Sequence, residues 1–428
     1  TVSQAVVAWD DTMEFGTAVG LLEQKLRTQR NRPTRPLQFG LSSTLRSRST
    51  GQVVVQQVKE EHLDAATFAK LYEVKDKELS ARKTTNRLCE KAFGQERVHD
   101  REVAYDIEDL EGRNSWIAII HADGNGLGQV VQRIGNQRDK FQQFSKKLDE
   151  APLCAAQRAY AEITPKEGWG EGKRIPLRPI VLGGDDLTII CRGDLAVRYT
   201  KAFLEAFEKE THEKLGDMLE GVFTEGTVRD RLTACAGIAF VKSSFPFYYG
   251  YHLAEELCGA AKSNAKRKDV PDSPEALGKA LPPSCLMFHK VQDSFVKKYE
   301  DMVGRELTPQ QGTSWQAGPY YLTEDAADCR HRTTCDQLQA WVDELAGEGE
   351  SEAKEANAVK SHLRRWLLEM HENEEYAHQH MARVQKLLSS PSLKKLTSVL
   401  TSPISKDEEG ATLRYPLYDV LALHSICY

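Results

Sequence analysis

"LGGDDLTII", residues 182–190, sets two glycines and two adjacent aspartates between the apolar runs "RPIVL" (178–182) and "LTIIC" (187–191). The pattern reads as two short strands joined by a tight glycine turn. Carboxylates a few ångströms apart repel by about 4 kcal/mol at an effective dielectric near 20. A fold holds Asp185 and Asp186 side by side at little cost only where water or a cation offsets that repulsion, so the doublet points to a metal.

Working outward, "SWIAIIHAD" (115–123) is a near-continuous apolar strand ending in Asp123, and "GLGQVVQRI" (126–134) opens a helical stretch that runs towards Ile163. After the hairpin, "DLAVRYTKAFLEAFEKETHEKL" (194–215) is an amphipathic helix, with apolar residues three and four apart. "RLTACAGIAFV" (231–241) is a strand, "YYGYHLAEELCGAAKSNAKRK" (248–268) a helix, and "SCLMFHKV" (284–291) a closing strand. The order β-α-β-β-α-β-α-β predicts a split βαβ sheet with one face against helices and chemistry at the strand ends. In such a sheet the first strand lies beside the hairpin, which brings Asp123 next to Asp185 and Asp186. Three converging carboxylates suit two divalent cations about 3.5–4 Å apart. Mg²⁺ is the first candidate, with Mn²⁺ the alternative, because it prefers hard oxygen ligands shared with substrate phosphates.

Directly after Asp123 comes "GNGLG", in which Gly124, Asn125 and Gly126 precede a helix start. Glycines let backbone approach a phosphate, and helix N-termini attract anions. Gln129 stands where the dinucleotide fingerprint needs its third glycine, and "GEGKR" (170–174) lacks the P-loop spacing. Lys262 and Lys266, one helical turn apart, could neutralise a triphosphate; a plain glycine turn at the hairpin and a solvated lysine face are the bland readings. His99-Asp100 in "RVHDRE" lacks the further His and Asp of a metal phosphohydrolase.

The chain's 428 residues, 40% apolar and 28% charged, have ordinary globular composition, and a net charge of −6 argues against a general nucleic-acid sponge. Nine cysteines without a CxxC pair fit reduced thiols of a cytoplasmic protein; "CRHRTTC" (329–335) lacks the second ligand pair that a zinc site needs. No run approaches the ~18 apolar residues of a membrane helix, which predicts no membrane partner. Near the N-terminus "AVVAW" (5–9) and "QVVVQQV" (52–58) read as strands and "TAVGLLEQKL" (17–26) as a helix, while Arg27, Arg30, Arg32 and Arg35 gather on a Pro-broken loop. In the C-terminal part, Val359, Leu363, Trp366, Met370, Ala377, Met381, Val384 and Leu388 form a helical packing stripe.

"IAIIHADGNGLG", "LGGDDLTIICRGDLA", "ACAGIAFVKSSFPFYYGYHLAEELCGAAKSNAK" and "CLMFHKV", in that order, resemble the second palm domain of the large subunit of type III CRISPR effectors, the CRISPR polymerase or cyclic oligoadenylate synthetase family. They are more distantly similar to GGDEF diguanylate cyclases. The resemblance implies an α+β, ferredoxin-like palm of the nucleotide cyclase and polymerase type. It divides the chain into a mixed N-terminal α/β region (1–110), read as a reduced first palm on strand order alone, a GGDD palm catalytic domain (111–292) and a helical C-terminal domain (293–428).

It also implies an enzyme that takes ATP and two metal ions and makes a cyclic oligoadenylate messenger of antiviral defence. Asp123 and Asp185 would hold the metals, with Asp186 completing the site or positioning the attacking 3′-hydroxyl; Gly183 and Gly184 would admit the nucleotide against the hairpin, and Lys262 and Lys266 would meet its phosphates. The family's HD nuclease domain and CxxC zinc element are not seen in this sequence, so the chain reads as a compact or stand-alone member. Its facing palm comes either from the N-terminal region or from a second copy in a homodimer, with effector subunits and guide RNA as further partners. Two other readings stand beside this one: a GTP-using cyclic dinucleotide synthase, against which Asp186-Leu187 replaces Glu-Phe, and a non-catalytic nucleotide- or RNA-binding scaffold, against which the acidic triad is intact.

Overall fold

The computed structural model describes residues 4–8, 13–31, 44–48, 50–58, 60–72, 80–94, 103–112, 115–135, 137–165, 169, 174–224, 226, 228–267, 280–293, 298–310, 312–347, 349–406 and 412–428. Arg32, Arg35, His99, Asp100 and most of "GEGKR" lie outside them. The chain forms two compact units, residues 1–88 with 134–141, and residues 89–133 with 142–428.

In the first unit, α1 (Phe15–Arg30) is the predicted helix, and β1 (Val54–Val58) pairs antiparallel with β2 (Glu61–Asp64), leading into α2 (Ala65–Tyr72); α3 (Ser80–Phe93) begins in the first unit and ends in the second. Asp64 starts α2 by accepting from the backbone N–H groups of Ala66 and Thr67, the usual chemistry of a helix cap. Residues 5–8 form no strand, and Val6 is exposed.

The second unit is built on a six-stranded mixed sheet. Its strands are β3 (Trp116–Gly124), β4 (Leu177–Gly183), β5 (Asp186–Arg192), β6 (Ala234–Lys242), β7 (Cys285–Lys290), and, beyond a short strand β8 (Thr313–Ser314), β9 (Tyr320–Tyr321). The order is β4-β5-β3-β6-β7-β9, antiparallel throughout except for β6 and β7. The helices between strands are α4 (Leu127–Ile134), α5 (Arg138–Ile163), α6 (Ala196–Leu219) and α7 (Phe247–Ala265). The first strand therefore does lie beside the hairpin, as its apolar run and the split βαβ order predicted.

Both faces of the sheet are buried, where one was expected. Ile117, Ile119, Ala239 and Val241 pack under Leu253, Leu257 and Ala261 of α7. On the other face Ala118, Ile120, Ala122, Ile238 and Phe240 are fully buried, and α6 runs against β3, β6 and β7. Burial on both sides is why β3 reads as continuous rather than alternating hydrophobicity. Helix α7 lies unusually close to the sheet: a Cβ on Gly250 would meet Ile119 Cδ1 at 2.5 Å, and one on Gly237 would meet the Cys258 backbone N at 2.5 Å.

Past β7 the chain is mainly helical, with α8 (Tyr299–Glu306), α9 (Glu324–Asp328), α10 (Cys335–Ala346), α11 (Gly349–Glu372), α12 (Glu374–Leu387), α13 (Pro391–Leu400) and α14 (Leu417–Cys427). The predicted stripe from Val359 to Leu388 is buried throughout. The strand β9 pairs Tyr321 with Cys285 and Tyr320 with Leu286, so the sheet continues past residue 292. No helix among the described residues is long and apolar enough to cross a membrane.

Candidate metal and nucleotide site

The register places the acids. Asp123, the penultimate residue of β3, is the Cα partner of Asp186, the first residue of β5, and Gly183 of β4 pairs with the same Asp186. That leaves Gly184 and Asp185 as a two-residue turn. Gly184 takes φ +65°, the left-handed value that a tight hairpin asks of its first turn residue and that glycine adopts without strain. Ligand oxygens of Asp123, Asp185 and Asp186 all lie within 4.8 Å of one another, the one such cluster among the described residues that could hold a metal ion. Cys329 is exposed whereas Cys335 is buried.

Burial, then repulsion from Asp123 and Asp186, pushes the Asp185 carboxyl up to about 6. Burial and Asp123 likewise raise Asp186. The triad is thus a concentration of negative charge that the protein only partly offsets. Its offset is Lys262 of α7, whose Nζ donates to Asp123 Oδ2 at 2.5 Å and to the Gly124 carbonyl at 2.9 Å. Hard carboxylate oxygens crowded to the point of mutual repulsion are the donor set that fits Mg²⁺ or Mn²⁺.

The remaining predicted residues fall into four groups. Gly183 and Gly184 have nothing within 4 Å of where a Cβ would stand, so the tip is open to an approaching ligand. Gly124 lies under the acids: a Cβ there would sit 2.7 Å from Asp185 Cβ. Asn125 turns inward at 1% exposure. Its Nδ2 donates to Thr233 Oγ1 at 3.1 Å and contacts Cys235 Sγ at 3.4 Å, and its backbone N–H donates to the Thr233 carbonyl at 2.7 Å. The expectation of a ligand contact is corrected here to a loop anchor, because the side chain is enclosed. Gly126 takes φ +76°, and a Cβ there would collide with Leu281; its role too is in the loop. Lys266 follows α7 as its C-terminal cap with an exposed side chain, and makes no hydrogen bond or ion pair with the triad.

Three residues went unnoticed in the sequence. His121, Thr188 and Tyr251 flank the acids on the same face: His121 Nδ1 lies 3.1 Å from Thr188 Oγ1, and the Tyr251 ring meets His121 edge-on at 5.8 Å. The period-2 rule carried the signal, since His121 is two residues before Asp123 and Thr188 two after Asp186 on paired strands.

The site thus joins the end of the first strand of the sheet to a GGDD hairpin. Residues 116–270 match the family model described as Cas10/Cmr2, second palm domain. Among solved structures the chain is similar to one in a Csm1-Csm4 cassette in complex with cA3 (12% identity, TM-score 0.41, 73% of this chain and 35% of that one). It is similar also to one in a Csm1-Csm4 cassette in complex with pppApA, with the same identity, score and coverage, and to Csm1 in T. onnurineus (14%, TM-score 0.32, 73% and 36%). The chain thus spans about a third of the length of these structures' chains. A comparison with curated proteins finds no match.

Proposed function

We propose that the chain is a metal-dependent nucleotidyltransferase that converts ATP into a cyclic oligoadenylate-type messenger in CRISPR-related antiviral defence. The observation that carries this reading is the meeting of Asp123, Asp185 and Asp186 within 4.8 Å at the open end of a palm hairpin. Asp123 and Asp185 would hold two Mg²⁺ ions, and Asp186 would complete their site or orient the attacking 3′-hydroxyl. When bound, the ions supply Lewis acidity and lower the pKa of a coordinated hydroxyl.

The protein's own groups do the rest. Lys262 Nζ donates to Asp123 Oδ2, and a substrate phosphate would compete with the acid for that charge. Gly183 and Gly184 leave the hairpin tip bare for the nucleotide, with Lys266 further along α7 as a second phosphate partner. Joining two nucleotides requires an opposing surface, supplied by residues 1–110 or by a second copy of the chain. Effector subunits and guide RNA are the further partners of this reading, and the cytoplasm its compartment.

Incubating the full chain with ATP or GTP and Mg²⁺ or Mn²⁺ and separating products by mass tests it. Cyclic or linear 3′–5′ oligoadenylate from ATP, abolished in Asp185→Ala with the fold retained, supports the proposal. Product from GTP alone, or nucleotide binding without any product, overturns it.

A further inference from the structure

A second charged site lies at the other end of β3. Trp116 opens that strand seven residues before Asp123, a span of about 23 Å at 3.3 Å per residue. Against it stand Lys242 at the end of β6 and Lys290 at the end of β7, and Lys360 and Arg364, one turn apart on α11, add their charge to that of Lys290. Lys242 Nζ stands 4.1 Å and Lys290 Nζ 4.7 Å from the Trp116 ring centroid. Lys290 Nζ also donates to Ser425 Oγ of α14 at 2.5 Å, and Lys360 Nζ lies 3.2 Å from His424 Nε2 on the same helix.

The electrostatics of this cluster mirror those of the triad. Burial, then Lys242 and Arg364, pull the Lys290 amine down to about 8. Burial and Arg364 lower Lys360, and burial, Lys360 and Arg364 hold His424 at about 4. Among the described residues no carboxylate forms an ion pair with Lys290, Lys360 or Arg364. Lys360 and His424 are buried at the back, at 9% and 6% exposure, whereas Lys242 and Arg364 are exposed at the rim. A neutral His424 that accepts from Lys360 through Nε2 keeps its proton on Nδ1, adding one more donor. Cationic donors from three elements, graded from buried to exposed and joined by a neutral His424 from a fourth, are complementary to a compact multivalent anion rich in acceptors.

We propose that Lys290, Lys360 and Arg364, with Lys242 and His424, form a phosphate-binding site at the Trp116 end of the sheet, taking a phosphate group carried by a nucleotide or by a nucleic-acid backbone. The site is separate from the metal triad and does not rest on the catalytic reading.

The experiment uses the full chain in EDTA, which keeps divalent ions from the triad. Its probes are inorganic phosphate, ATP and a fluorescent single-stranded 12-nucleotide RNA with a 5′-hydroxyl, titrated over a range of salt. Binding of ATP marks the nucleotide as the source, and binding of the RNA marks the backbone; inorganic phosphate should compete with either. Arg364→Glu, at an exposed position that leaves the fold intact, and Lys290→Met should each weaken binding about tenfold or more. Each should also flatten the dependence of log affinity on log salt by about one for every phosphate that the variant no longer neutralises. Lys290→Arg should restore most of the affinity. Absence of binding by all three probes, or affinity unchanged in Arg364→Glu, overturns the proposal.

Discussion

Replacing Gly124 by Ala is the most direct test of how the triad is held. The added Cβ would stand 2.7 Å from Asp185 Cβ and 3.0 Å from its Oδ2, whereas ordinary van der Waals contact starts at 3.4 Å. The Asp185 Cβ is fixed to the hairpin backbone, so the turn itself must retreat by about 0.7 Å, the difference between 3.4 and 2.7 Å. Overpacking of this size costs about 1–3 kcal/mol of stability, and on the proposed function, in which Asp185 would hold a metal, a shift approaching 1 Å would lower turnover by roughly 100-fold.

Gly128 in the same "GNGLG" supplies the control, because nothing lies within 4 Å of its Cβ position and it sits in α4. Gly128→Ala should leave turnover intact and raise stability by about 0.5–1 kcal/mol through reduced chain entropy. Thermal unfolding in EDTA and product formation from ATP, measured side by side, give both numbers. If Gly124→Ala matches Gly128→Ala in both, the packing of Asp185 on Gly124 does not position the acid and the reasoning fails.

Lys262→Met removes the cation on Asp123 and should destabilise the apo protein by about 1–2 kcal/mol; adding Mg²⁺ or Mn²⁺ should shrink that gap, and a gap indifferent to metal would contradict the charge balance drawn here. Asp419 of α14 is buried and accepts from Tyr320 Oη at 2.6 Å, and burial raises its carboxyl to about 7. Its folded pKa lies above the unfolded one, so the stability it contributes in acid is lost as pH rises through about 7. Urea unfolding of Asp419→Asn should therefore lose about 1–3 kcal/mol less than the wild type between pH 5 and 8, and parallel profiles would refute this. Asn125→Ala breaks its hydrogen bonds with Thr233 and Cys235 and should lower thermal stability by about 1–2 kcal/mol, while Asn125→Asp, burying a charge there, should cost more; equal stabilities would show that the loop is held by backbone alone.

The sheet order and the triad were legible because both rest on apolar runs. "IAIIHAD", "PIVL" and "LTIIC" fix three strands, and the pairing of a first strand with a hairpin sets Asp123 against Asp186. The flanking His121, Thr188 and Tyr251 were not read, since a polar residue inside an apolar run gives no chemical signal until its strand partner is known. Asn125 and Gly126 misled: a glycine-rich string after an aspartate suggests phosphate, yet this loop turns inward to be anchored by Thr233 and packed by Leu281. Two hydrogen-bonded tyrosines, Tyr320 and Tyr321, are too few to show a period of two, which hid β9. Residues 5–8 carry strand-forming side chains without a ladder, a case of propensity unsupported by pairing.

The two tyrosines of β9 bear on how the protein can be cut. Each is fully buried: Tyr320 is tied to Asp419 and Tyr321 donates to Asn264 at the end of α7. A fragment stopped at residue 292 would strip this cover from β7 and leave the backbone of Cys285 and Leu286 as an unprotected edge flanked by apolar side chains, a template for self-association. The smallest piece that keeps its border sealed extends through α14, so the palm travels with the helices that follow it.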